Sequence, residues 1–135
     1  MLVRRYSPQQ IQAQWSVIEG YIDQALEQSE CNEYDSADLK KSLESGLLDL
    51  FVGVEQDKIQ GVIVISFVQY PKQKVAFICA YGGKFVTNKE AYKQLCLLFK
   101  AFGATKVQGY VRQSLARLTH RLGFIDKQIL IEHKL

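Results

Sequence analysis

Three β-rich runs follow one another between residues 47 and 83 with only turn-length breaks between them, and this arrangement fixes the centre of the fold. LLDLFVGVEQ and IQGVIVISFVQY are separated by Asp57 and Lys58, a tight-turn signal, and Pro71 to Gln73 makes a second turn before KVAFICAYGG. Links this short join antiparallel neighbours, because a parallel pair needs a crossover of a dozen or more residues. The expectation is a three-stranded antiparallel meander.

Helical signals flank that meander. LVRRY reads as a short strand and is followed by Ser7, Pro8, Gln9 and Gln10. Ser7 is placed to cap a helix, Pro8 suits its first position and Gln10 completes a capping box, together worth about 1 kcal/mol. Ile11, Trp15, Ile18, Ile22, Ala25 and Leu26 then recur at steps of four and three, one face of a helix reaching about Ser29. From Glu27 to Asp38 the periodicity stops, and EQSECNEYDSAD reads as an acidic loop with a single tyrosine. Ser36 or Asp35 caps a short helix that carries Leu39 and Leu43 and stops at Gly46.

After the meander, Thr87 with Glu90 three residues on predicts a second capping box. Its helix buries Ala91, Leu95, Leu98, Phe99 and Phe102 and ends at Gly103. Lys106 to Val111 is a strand. Gln113 or Ser114 opens a further helix with Leu115, Leu118 and Leu122 inward, Gly123 ends it, and Phe124 to Leu135 reads as a closing strand. The order is β-α-α-β-β-β-α-β-α-β, an α+β fold with a mixed, mostly antiparallel sheet and helices on both faces. Its 135 residues, 47% hydrophobic and 23% charged, make one domain over residues 1–135 and exclude disordered or low-complexity classes.

The longest apolar stretch, Val62 to Val68, is far short of the ~20 residues of a membrane span, and no signal peptide is visible. Cys31, Cys79 and Cys96 lack CxxC spacing and read as reduced thiols of a cytoplasmic protein. His120 and His133 have no second ligand at i+3 or i+4, which disfavours zinc. Charge is divided unevenly: residues 1–70 hold 5 Lys/Arg against 11 Asp/Glu, and residues 71–135 hold 12 against 3. The basic half suits a phosphate-bearing ligand and the acidic half an amine or a basic protein, although both sets also serve simply to solvate outer faces.

The element order, and VQGYVRQSLARLTHRLGF near the end, resemble the GNAT superfamily of N-acetyltransferases. The short length and the SLARLTHRLGF helix are similar to small GNAT-like proteins of tailed bacteriophages. That resemblance implies acetyl-CoA as co-substrate and a small-molecule or protein amine as acceptor, with pantetheine in a splayed gap between the fourth and fifth strands. It implies cofactor contacts at Phe77, Cys79 and Tyr81 on the strand and at Gly82, Gly83, Lys84, Thr87, Asn88 and Lys89 leading into the next helix. The family's loop signature of a basic residue and two small ones is incomplete: Thr87 and Lys89 stand where small residues belong. Gly82 and Gly83 either supply the missing freedom or merely turn the strand.

The family tyrosine that protonates the leaving thiolate falls at Thr119, a poor acid, so Tyr110 and His120 are its candidate replacements. Tyr81 and Glu55 are candidate bases. Glu30, Glu33 and Asp35 lie where the acceptor enters and would attract a cationic amine, a lysine tail or an aminoglycoside-like compound. The alternative reading is a non-catalytic GNAT-fold protein of a phage particle or its assembly that contacts a phage or host protein, in the virion or the host cytoplasm. Nucleic acid ranks third, because the basic half lacks a dense arginine run and its aromatics fall on inward faces.

Overall fold

The computed structural model describes residues 1–29, 33–85 and 87–135. They form, in chain order, β1 (Leu2–Tyr6), α1 (Pro8–Ala13), α2 (Trp15–Glu27), α3 (Ser36–Glu44), β2 (Asp49–Glu55), β3 (Lys58–Gln69), β4 (Lys74–Gly83), α4 (Lys89–Ala101), β5 (Ala104–Gly109), a 3-10 turn (Gln113–Leu115) and α5 (Ala116–Arg121). The sheet runs β1-β2-β3-β4-β5. Its first four strands are antiparallel and β5 lies parallel to β4. The β2–β3 hairpin turns at Gln56 and Asp57, both with positive φ (52° and 61°), one residue earlier than the sequence suggests, and Glu55 pairs with Lys58. Positive φ at both central residues is the twist that a two-residue hairpin demands.

Alternation along the strands supplies two cores. Leu50, Val52, Val62, Val64 and Ala80 face one side, where Ile11 of α1, Ile18 and Ile22 of α2, and Leu39 and Leu43 of α3 cover them. On the other side Val3, Phe51, Ile63, Ile65 and Ala76 meet Ala91, Leu95 and Phe99 of α4. Phe51 and Phe99 contact edge to face with centroids 5.2 Å apart, a geometry favoured by the ring quadrupole. Each fully buried Ile, Leu or Phe contributes about 1.5–3 kcal/mol. Gln94 ties α4 to the first strand: its Oε1 accepts from the Val3 amide and its Nε2 donates to the Met1 carbonyl, both at 2.8 Å.

Several local expectations change: β5 spans Ala104–Gly109 rather than Lys106–Val111, and Phe102, expected inward, caps the end of α4 and is exposed. The single helix expected from Ser7 to Ser29 is interrupted at Gln14 (ψ 16°), between exposed Gln12 and Ala13 and the buried contact resumed at Ile18. The Ser7–Gln10 capping box is present as read. At α4 the cap is Asn88, not Thr87: the Asn88 side chain accepts from the Ala91 amide, and the Thr87 hydroxyl donates instead to the Lys84 carbonyl. Residues 124–135 form no strand. β-propensity makes a strand only where a partner supplies the ladder, and here the segment leaves the domain after Phe124 packs on Tyr92 and Asp126 meets His120.

Candidate functional site

The sheet is not uniform across β4. Its parallel pairing with β5 stops at Ile78–Gly109, while β4 itself runs on to Gly83. β5 ends at Gly109 and the chain turns away through Tyr110 to Arg112. Beyond Ile78, therefore, β4 runs on to Gly83 with no strand of β5 beside it. On the other side of β4 the register slips: Val64 pairs with Ala80 and Ile65 with Ile78, leaving Cys79 as an extra residue. The bulge resets the alternation. Ile78 faces the α4 side, Cys79 and Ala80 face the α2 side, and Tyr81 returns to the α4 side. Bulges re-aim side chains in this way and kink the strand that carries them.

Beyond the bulge, the two glycines are held by the fold. A Cβ on Gly82 would lie 2.7 Å from the Tyr21 carbonyl of α2. One on Gly83, where φ is +86°, would run into the Gln60 carbonyl of β3. Their small size thus serves packing of α2 and β3 against the end of β4. Lys84 is exposed and its amide donates to the Gln60 carbonyl. Phe85 is buried in the α4-side core and anchors the loop.

At the start of α4, Thr87 and Lys89 face Leu118 and Arg121 of α5, and Leu122 just after it, across a cleft of about 200 Å³. Two cations and a hydroxyl beside the N-terminus of a 13-residue helix suit an anionic group. Arg121 was not among the residues expected here. The signal was present, since Arg121 and Leu122 stand three and four positions after Leu118 and so share its face. Asn88 is turned inward as the helix cap, and Lys84 lies outside this lining.

Tyr81 is half-buried, and burial pushes its phenol above the ordinary 10.0, opposed by the Arg112 charge. It therefore stays protonated at neutral pH and suits proton donation better than proton removal. Tyr110 is 64% exposed and rests edge-on against Phe77 at 5.6 Å. The Arg112 guanidinium donates to Gln28 at the end of α2, spanning from beyond β5 to the helix over the other strands (3.4 Å). Tyr34 closes the same region, its hydroxyl donating to the Cys79 carbonyl at 2.9 Å. Tyr34 is the one aromatic residue of the acidic segment, and that was its legible signal.

Glu55 is not brought to this place. It ends β2, two strands from β4, with its carboxylate 3.6 Å from the Met1 amino group. Asp35 is committed to the fold as the N-cap of α3: it accepts from the Asp38 amide at 2.9 Å, and Asp38 reciprocates with the Asp35 amide at 3.0 Å. These bonds hold its carboxyl below the usual 3.8. Glu33 is exposed, while Glu30 lies outside the described residues. Thr119 donates to the Ala116 carbonyl of its own helix, and His120 pairs with Asp126 at 2.9 Å.

No family model matches the chain, and no curated protein sequence matches it either. Solved structures do. An aminoglycoside acetyltransferase, meta-AAC0020, from an uncultured soil metagenomic sample in complex with sisomicin superposes with TM-score 0.72 at 14% identity, over 99% of this chain and 95% of that one. A second aminoglycoside acetyltransferase from such a sample, HMB0005, gives TM-score 0.72 at 16% identity over 99% and 97%. A predicted acetyltransferase from Clostridium acetobutylicum, solved with acetyl-CoA, gives TM-score 0.67 at 14% identity over 98% and 95%. Across nearly its whole length, this chain has the α+β fold of GNAT acetyltransferases.

Proposed function

We propose that the protein is an acetyl-CoA-dependent N-acetyltransferase acting on a cationic amine. The observation that carries this reading is the end of β4 beyond Ile78–Gly109, which β5 does not cover, next to the basic cleft at the start of α4. An open strand edge leading to a helix N-terminus suits a long, flat ligand with a phosphate at one end. Acetyl-CoA is such a ligand and would supply the acetyl thioester. Thr87, Lys89 and Arg121 would hold its phosphates, and the backbone of the Cys79–Tyr81 segment would line its pantetheine and offer an amide to the thioester carbonyl.

Tyr81 is the residue to which we assign the proton donor, since it stands at the end of β4 two residues past the Cys79 bulge and its half-buried phenol is protonated at neutral pH. Tyr110, exposed just past β5 and resting on Phe77, is the alternative donor. Acidic residues around Glu33 would draw the amine in, and the acetyltransferase solved with sisomicin acts on a class of polycationic amines that such a surface fits. Glu55, beside Met1, stands outside this arrangement.

Thr119 favours a second reading, a non-catalytic protein of this fold from a phage particle or its assembly. Its hydroxyl is spent on the Ala116 carbonyl at the position where the family places its acid. Calorimetry with acetyl-CoA, followed by thiol release with a panel of amines, decides between the two. Binding with turnover supports the enzyme; binding without turnover on any amine supports the second reading; absence of binding removes both the cofactor and the enzyme.

A further inference from the structure

The segment after α5 combines two properties that do not coexist stably in water. Gln128 to Leu135 reads QILIEHKL, a sequence with strong strand character, yet it has no secondary structure and its apolar side chains stand in solvent. Ile129 is 89% and Ile131 87% exposed, and Ile125, Leu130 and Leu135 are exposed as well. Five large apolar residues in eleven, Ile125 to Leu135, are the kind of contiguous surface that marks an interaction site.

The sheet offers the complementary defect. β5 is the last strand in the order, so one of its two edges has no strand beside it among the described residues. Open edges of this kind accept an added strand, and natural proteins normally cover them. Val107 on β5 is half-buried, and Tyr110 just past it is exposed, so the receiving surface has apolar contacts to give. Lys106 on β5 and Glu132 in the segment provide opposite charges.

The root of the segment is fixed on α4 and α5, and residues 124–135 do not pair with the chain's own β5. The Phe124 amide donates to the Thr119 carbonyl, the Phe124 ring packs on Tyr92 of α4, and Asp126 pairs with His120. From there nine residues, fully extended, reach about 30 Å. We propose that residues 127–135 become a strand on a second copy of the chain, pairing with the open edge of its β5, so that two copies exchange these segments reciprocally. A twofold exchange is closed and needs no further subunit. Two such segments with their receiving edges present an area on the order of the 1,600 Å² that a stable complex buries.

Light scattering on the purified full chain, together with hydrogen exchange of β5, tests this. The expected mass is twice the 15.4 kDa of one chain. Deleting residues 128–135, which make no hydrogen bond to the domain among the described residues, should halve that mass, leave the circular dichroism of the folded domain intact and speed exchange of β5 amides by about tenfold or more. Ile129→Asp with Ile131→Asp should do the same in the full-length chain. A full chain that stays monomeric up to its solubility limit would overturn the proposal. So would a dimer that survives the deletion, or a deletion that gives monomers without changing β5 exchange.

Discussion

The Tyr34 hydroxyl and the Cys79 carbonyl are 45 positions apart in sequence and 2.9 Å apart in the fold, which ties the end of the acidic segment to the bulge of β4. The bond joins the side from which an amine would come to the strand that would line the thioester. Tyr34→Phe removes it while keeping the ring. A part-buried neutral bond is worth about 0.5–1.5 kcal/mol, so we expect a small loss of thermal stability. A larger effect is expected on turnover than on acetyl-CoA affinity, read by comparing kcat with the calorimetric Kd. Equal loss in both would show that Tyr34 supports only the fold.

Charge at the α4–α5 cleft should govern CoA affinity. Arg121→Glu and Lys89→Glu each replace a cation that lines it, and loss of a charged hydrogen bond costs roughly 1.5–3 kcal/mol, about 10- to 100-fold in Kd. Lys84→Glu, outside the lining, should weaken binding less. Titration calorimetry with CoA ranks the three, and an ordering led by Lys84 would move the phosphate site to the strand–helix turn.

If Tyr81 donates the proton, Tyr81→Phe should lower kcat by roughly 10²- to 10⁴-fold with little change in CoA affinity. Because burial raises its pKa above 10.0, the wild-type rate should show no decline from this group until the pH passes that value. A fall between pH 7 and 9 that vanishes in the variant would contradict the burial argument.

Alkaline stability follows from the same physics. Tyr81 and Tyr92 are both raised by burial, Tyr92 with Cys96 adding to the effect. A raised folded-state pKa means the neutral phenol is favoured by folding, so its contribution is complete below the unfolded value of 10.0 and is lost as pH climbs through the folded values. Melting temperature should drop above pH 10, and less so in Tyr92→Phe. An unchanged slope in that variant would mean that other groups dominate the alkaline transition.

The carboxylates of the acidic segment should separate by role. Asp35→Ala removes the cap of α3 and should lower the melting temperature, and the wild-type contribution of Asp35, whose pKa is depressed, should fade as pH falls below 3.8. Glu33→Gln should lower melting less than Asp35→Ala and raise KM for a cationic acceptor. A matched loss of stability in both variants would make the segment a structural one.

What the sequence disclosed was whatever repeats or alternates. Ile11, Ile18 and Ile22 marked the face of α1 and α2, Leu39 and Leu43 that of α3, and the turn near Asp57 set the hairpin, because each signal is local and cumulative. Cys79 shows the limit of such reading. A bulge is a mismatch between two strands, so nothing within KVAFICAYGG announces it, and yet it decides that Tyr81 faces α4. The Asn88 cap went unread because Thr87 offers an equally good pattern one position earlier, and only side-chain geometry chooses between them. The composition of Phe124 to Leu135 suits a strand, whereas the hydrogen-bond partner that makes a strand is a property of the surroundings.

Gln94 holds both Met1 and Val3, and this has a bearing on the birth of the molecule at the ribosome. The first strand emerges first, but its binding partner on α4 lies 91 positions later, a delay of roughly 5 to 20 s at ordinary rates of synthesis. During that interval β2 and β3 can already zip together and accept LVRRY, while the face that α4 will cover, with Phe51 and Ile65, remains bare. Nascent chains that stall before α4 should therefore be the form most prone to aggregate or to engage a chaperone.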